Sequence, residues 1–526
     1  MCGFKFYPAT DISYDDFYRE FDKIRYRGPD MTRMVADDFG IMAFHRLSIM
    51  DLTPAGMQPF VHKGIRMVCN GELYGFKEQE KEFIGKFTFT TKSDCELLIP
   101  LYLKYGVDMF SKLDAEFVFV LQDIDKGVVL AARDSIGIRP MFYGYSKVSG
   151  TIMFASEAKA IHKECDKIYP FPIGSYYLNG EFVQYDDIVK RGPKNHDDIK
   201  TVTTKINKLL TDGIIKRLDS DAPLGFLLSG GLDSSLVCSV AAKHLKKPIR
   251  TYSIGMEKDA IDLKYAKIVA DYIGSDHTEV IISINDVLNA LRDVIYRLET
   301  YDITTIRASI GMYLLCKNIH ENTDIKVLLT GEISDELFGY KYTDFAPSAE
   351  EFQLESEKRL RELYMYDVLR ADRCISGTSI EARVPFGDIA FAKYVLSIDP
   401  ELKMNKYNMG KYLLREAFVG DYLPDSILYR EKAAFSDAVG HSLADNLKKK
   451  AEEMYTEEDV KNAYKKFPKH TPFTKESLMY REIFEEFFPG RSDLVADYWM
   501  PNKSWEGCNV NDPSARALKN YGKSGN

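Results

Sequence analysis

Two domains in tandem, an α+β unit of layered sheets followed by a parallel-sheet α/β unit with a helical C-terminal part, are predicted by three features of this sequence. Its 526 residues exceed what one hydrophobic core usually supports. The N-terminal third is dense in short apolar runs separated by turns. Beyond a polar stretch from about residue 180 to 204, apolar runs alternate with helical periods instead. Residues 2–185 and 200–526 are the expected domains, with a surface tail from about residue 489 that is rich in Pro, Asn, Gly and Ser.

In the first unit the runs at 41–44, 65–69, 117–121, 128–132, 141–145 and 151–155 read as strands, and 14–24 and 95–105 read as helices. In the second, strands are expected at 224–228, 249–254, 278–282 and 325–329, with helices starting near Ser234, Leu263 and Ile284. Parallel pairing follows from that alternation. After Thr330 the chain reads as mainly helical, through 350–376 and again near Ala390, Lys411 and Leu443.

Composition narrows the function. The chain is 45% apolar and 28% charged, as an ordinary folded protein is. A net charge of -9 argues against a nucleic-acid partner. The lack of a long apolar run or a secretory leader argues for a cytoplasmic protein with no membrane partner. The eight cysteines show neither zinc spacing nor a disulfide framework, so most are expected to be small buried hydrophobes.

Cys2 stands directly after the initiator methionine and before Gly3, the setting in which the methionine is commonly removed. A cysteine at the mature N-terminus carries a thiol nucleophile and an α-amine of pKa about 8 that can serve as general base. Four segments follow: Arg27-Gly28-Pro29-Asp30, His45-Arg46-Leu47-Ser48-Ile49, Asn70-Gly71-Glu72-Leu73-Tyr74 and Ser93-Asp94-Cys95-Glu96. The Asn70 side-chain amide and the Gly71 N–H suit an oxyanion, Asp94 and Glu72 an α-ammonium, and Arg46 an α-carboxylate. His45 is expected to be a strand-end residue satisfied by a hydrogen bond.

These motifs resemble the class II glutamine amidotransferase domain, whose fold is the αββα sandwich of N-terminal-nucleophile hydrolases. The resemblance implies a glutamine site formed by Arg46, Leu47, Ser48, Ile49, Met50, Asn70, Gly71, Glu72 and Asp94. The chain departs from the family pattern at Tyr26, where His is usual, and at Gly75, where Asn is usual.

Leu227-Leu228-Ser229-Gly230-Gly231-Leu232-Asp233-Ser234-Ser235 follows an expected strand and opens an expected helix, as an anion-binding loop does. It lacks the Gly-Lys-Ser/Thr of a Walker loop. It resembles the pyrophosphate loop of N-type ATP pyrophosphatases, which transfer AMP to a carboxylate. That resemblance implies ATP contacts from Leu228, Ser229, Gly230, Gly231, Asp233, Ser234, Ile254, Thr330 and Gly331. It also implies magnesium ligation by Asp233 and Asp335 and a catalytic Glu332. Thr304 and Arg307 in 299–309, the segment 381–386, Lys432 in 430–437 and the tail 512–516 resemble the asparagine synthetase family. Aspartate binding by Thr304 and Arg307 and a catalytic role for Lys432 on the phosphates follow from that resemblance.

Glutamine, aspartate and ATP are thus the expected small-molecule partners, and a homodimer stays open. So do two alternatives: amidation of another carboxylate acceptor, and a catalytically silent relative. Two further departures flank the nucleotide site. Ile333 replaces the usual glycine of Gly-Glu-Gly-Ser-Asp-Glu, and Gly387 replaces the usual leucine of Val-Pro-Phe-Leu-Asp. If that glycine uses positive φ, a β-branched Ile333 is expected to force a different loop.

Overall fold

The computed structural model describes residues 1–258, 260–406, 409–431 and 439–521. Two six-stranded antiparallel sheets build the first unit. One runs in the order Cys165–Pro170, Phe142–Ser146, Ile152–Ala155, Gly3–Tyr7, Gly40–Arg46, Met31–Asp37. The other runs Glu181–Gln184, Ser175–Leu178, Val128–Arg133, Ala115–Asp123, Ile65–Leu73, Phe60–His62. Alternate side chains of both sheets meet between them: Phe4, Phe6, Met42 and Phe44 from one, Val68, Val118 and Val120 from the other. The outer face of the first sheet takes Phe17, Phe21 and Ile24. That of the second takes Leu97, Leu98 and Leu101. The result is the expected four-layer sandwich.

The second unit is built on a parallel five-stranded sheet in the order Asp276–Ile282, Arg250–Met256, Leu224–Leu227, Val327–Leu329, Glu381–Arg383. Its central strand feeds the Leu232–Leu245 helix. The neighbouring Val327–Leu329 strand leads into the short Ser334–Phe338 helix. Ligand-binding loops of parallel sheets lie at this carboxyl end, where connections diverge. One apolar cluster runs from Met67, Phe119 and Ile138 of the first unit to Phe226, Val384 and Phe386 of the second.

Three expectations are corrected. The polar stretch after residue 180 is not all linker: Glu181–Gln184 extends the second sheet by pairing with Ser175–Leu178, and a helix already starts at Ile199 under an Asp198 cap. Exposed polar side chains on an edge strand hide its periodicity. The helical stretch 350–376 breaks at Tyr366, giving Ala349–Glu362 and Asp367–Ser376. The tail is not a surface appendage either, because Trp505, Cys508 and Leu518 pack on Tyr342 and Phe352. A few aromatic and apolar anchors suffice to seat a polar segment. No cysteine is paired; seven are buried and Cys2 is half-buried.

Candidate functional site

Cys2 begins the central Gly3–Tyr7 strand, and the register Gly3 opposite His45 sets it beside the end of Gly40–Arg46. The Leu47 N–H accordingly points at Cys2 Sγ, 3.4 Å away. The Cys2 nitrogen donates to Asn70 Oδ1 at 2.9 Å. Asn70 Nδ2 is buried with no acceptor among the described residues, a costly state that leaves an oriented donor for a ligand oxygen. Gly71 follows it on the same strand. Burial pushes the Cys2 thiol above its ordinary pKa, so the thiolate needs a base to form.

The other expected residues gather around this point. Asp94 is buried, accepts the Leu73 N–H at 2.7 Å, and is pushed up to about 6 chiefly by desolvation. Glu72 pairs with Arg383 of the second unit at 3.0 Å. Arg46 donates to the carbonyls of Thr53 at 2.6 Å, Met50 at 3.3 Å and Asp51, fixing the loop that carries Leu47, Ser48, Ile49 and Met50. Asp30 accepts the Ser48 N–H at 2.9 Å and pins the same loop. His45 is buried, stacked on Phe21 and hydrogen-bonded to Thr32; desolvation holds it down at about 4. Gly75 has φ +72°, a region that Asn also tolerates, so this departure keeps the backbone path.

The second site is a pocket at the carboxyl end of the parallel sheet. Leu228, Ser229, Gly231, Asp233, Ser234, Ile254, Thr304, Arg307, Thr330, Gly331, Glu332 and Asp335 all line it. Gly230 does not, although it shapes the loop: its φ is +70°, and an added Cβ would lie 2.4 Å from the Ala266 nitrogen. Ser234 Oγ accepts the Ser229 N–H at 3.2 Å, closing the turn at the start of the Leu232–Leu245 helix. Thr304 Oγ1 and Thr330 Oγ1 are buried without a hydrogen-bond partner among the described residues. Lys432 lies outside the described residues.

Asp233 and Asp335 converge on one ammonium. Lys411 Nζ lies 2.8 Å from both oxygens of Asp233 and 2.6 Å from Asp335. Glu332 is held by Arg370 at 2.6 and 3.1 Å, and burial pushes its carboxyl up. Arg307 reaches the pocket with its guanidinium engaged by Glu476 at 2.8 Å and Asp512 at 2.9 Å. Lys411 and Arg370 were missed by sequence reasoning. Lys411 sits alone before a short helix, and only the fold brings Arg370 back to Glu332.

The two sites are joined through buried charge. Arg27 donates to the Cys2 carbonyl at 2.9 Å and to Asp372 of the second unit at 2.8 and 3.1 Å. Tyr26 donates to Glu157 at 2.6 Å in the same network, where Arg373 also meets Glu157.

Comparison with known proteins gives this arrangement a family. The glutamine amidotransferase domain family matches residues 1–191, and the asparagine synthase family matches 205–354 and 345–512. A probable glutamine-hydrolysing asparagine synthetase of Acanthamoeba polyphaga mimivirus is 39% identical over 98% of this chain and 100% of its own length. The chain belongs to the glutamine-hydrolysing asparagine synthetase family. The human asparagine synthetase of that family is 41% identical over 95% of each chain. Among solved structures, the allosteric regulatory enzyme of purine biosynthesis aligns with a TM-score of 0.32 at 12% identity, over 54% of this chain and 80% of that one, too distant a likeness to add to the assignment.

Proposed function

We propose that this chain makes asparagine from aspartate, ATP and glutamine, with residues 2–185 hydrolysing glutamine and residues 200–526 activating aspartate. Support comes above all from the convergence of the Ser229–Ser234 loop and the Glu332–Asp335 turn on one pocket, with Asp233 and Asp335 meeting at a single point. Asp233 and Asp335, which Lys411 bridges, are hard oxygen donors that would suit a magnesium ion shared with phosphate oxygens and water. When bound, that ion neutralises charge on the pyrophosphate.

Once Met1 is removed, the nitrogen now bonded to Asn70 Oδ1 is the α-amine of Cys2. It takes the thiol proton as sulfur attacks the glutamine amide, and delivers it to the departing ammonia. Asn70 Nδ2 and the Gly71 N–H hold the oxyanion. Asp94 and Glu72 face the α-ammonium, while Arg46 faces the α-carboxylate within the loop of Leu47, Ser48, Ile49 and Met50. Water then cleaves the thioester.

In the second site Leu228 and Ile254 flank the adenine, Ser229, Gly231 and Ser234 cradle the phosphates on the turn that Gly230 makes possible, and Thr330 and Gly331 touch the nucleotide. Thr304 and Arg307 hold aspartate. Its side-chain carboxylate attacks the α-phosphorus, pyrophosphate leaves beside Lys411 and Lys432, and Glu332 serves the adenylate. Ammonia attacks the β-carbonyl and AMP departs.

Aspartate carrying oxygen-18 in its side-chain carboxylate tests the adenylate. The label is expected in AMP. Label in inorganic phosphate, with ADP as product, contradicts it.

A further inference from the structure

Ile333 occupies the turn between Glu332 and Asp335, and its backbone has φ +80°, which a β-branched residue rarely adopts. The loop therefore does not differ in the way the sequence suggested: it keeps the left-handed turn with isoleucine in it. The side chain is 2% exposed, so tertiary packing compensates for the strain. That packing falls on Gly387. A Cβ added at Gly387 would lie 2.8 Å from Ile333 Cδ1, 3.1 Å from Ile138 Cδ1 and 3.3 Å from Val384 Cγ2.

Gly387 has no positive φ, so its backbone does not require glycine. Space does. Position 333 has the backbone that favours glycine and carries a bulky side chain, while position 387 has an ordinary backbone and carries none. Ile138 cannot retreat either. Its loop is fixed by Asp134, whose carboxylate accepts the N–H groups of Ile136, Gly137, Ile138 and Arg139 at 2.6–3.1 Å.

We propose that Ile333 and Gly387 form a size-exchange pair that positions the Glu332–Asp335 turn against Ile138 of the first domain. Ile333 is thereby a positioning residue for adenylate formation. It immediately follows the carboxylate that Arg370 holds, and it caps the helix whose Ser334 hydroxyl donates to Asp233 at 2.7 Å. A side chain wedged between Gly387 and Ile138 fixes the aim of Glu332 and Asp335 together. The inference rests on the proposed chemistry of this pocket. Were that chemistry wrong, the unaltered protein would itself release no aspartate-dependent pyrophosphate, which separates the two failures.

The test is a double-mutant cycle on the full chain, read as aspartate-dependent pyrophosphate release. Ile333→Gly empties the wedge, and kcat is expected to fall about 10- to 100-fold, the scale of a small misplacement of catalytic groups. The glutaminase rate should change less than about threefold, since the other centre is untouched. Gly387→Leu alone overpacks the site and should lose at least as much activity. Combined, Ile333→Gly and Gly387→Leu should recover kcat to within about threefold of the parent, because the leucine fills what the isoleucine left. Should Gly387→Leu fail to fold, Gly387→Ala with and without Ile333→Gly gives the same cycle. Recovery in the double variant supports the pair. Losses that multiply, a double variant no better folded or faster than the Gly387 variant alone, or an Ile333→Gly enzyme with the parent kcat overturns it.

Discussion

In the proposed glutaminase centre, Cys2 and Asp94 carry the most direct tests. Cys2→Ala should abolish glutamine hydrolysis and leave asparagine formation from ammonium salts largely intact, as paired assays would show. Persisting hydrolysis would remove Cys2 as nucleophile. Asp94 makes a pH prediction. Its carboxyl is pushed up to about 6 by desolvation, and in the proposed glutamine site only its ionised form would pair with the α-ammonium. The KM for glutamine should therefore rise as pH falls through about 6, by roughly tenfold per pH unit once Asp94 is mostly protonated. Above pH 7 it should be flat in this respect. In Asp94→Asn the rise should vanish, with a high KM throughout.

At the scale of elements, the Asp367–Ser376 helix matters most. Residues 370 and 372 are about 200° apart around a helix, so they face opposite ways. Arg370 grips Glu332 in the pocket of the second unit, and Asp372 grips Arg27, which holds the Cys2 carbonyl. One helix thus touches both centres. Asp372→Ala removes the two-point partner of a buried guanidinium that keeps Glu157 at 2.7 Å, a loss of about 1.5–3 kcal/mol. Urea unfolding should show that loss, and glutaminase kcat/KM should fall further than ammonia-dependent synthesis. Equal loss of both would show that the helix acts only on global stability. Arg370→Ala should do the reverse, slowing pyrophosphate release by at least about tenfold while glutamine hydrolysis stays within about twofold.

For the whole molecule, much of the two-domain plan was legible because apolar periodicity is local. The runs at 117–121 and 128–132 become Ala115–Asp123 and Val128–Arg133, and the helix expected near Ser234 starts at Leu232. The Ser-Gly-Gly loop was readable for a related reason, because glycine marks the turn between the Leu224–Leu227 strand and the Leu232–Leu245 helix. What escaped was long-range. Arg27 meets Asp372 across 345 positions, and Lys411 meets Asp233 across 178. No spacing rule encodes such pairs. The left-handed Ile333 was misjudged because its compensation lies at Gly387, in another element. Joining the domains through buried ion pairs and one continuous core makes sense if ammonia released at Cys2 must reach an adenylate in the other domain.

That transfer is the central claim, and nitrogen-15 in the side-chain amide of glutamine tests it most directly. With aspartate, magnesium and ATP present, the label should appear in the side-chain amide of asparagine even when unlabelled ammonium is added, with one AMP formed per asparagine. Label released only as free ammonium, and asparagine carrying none, would contradict the account.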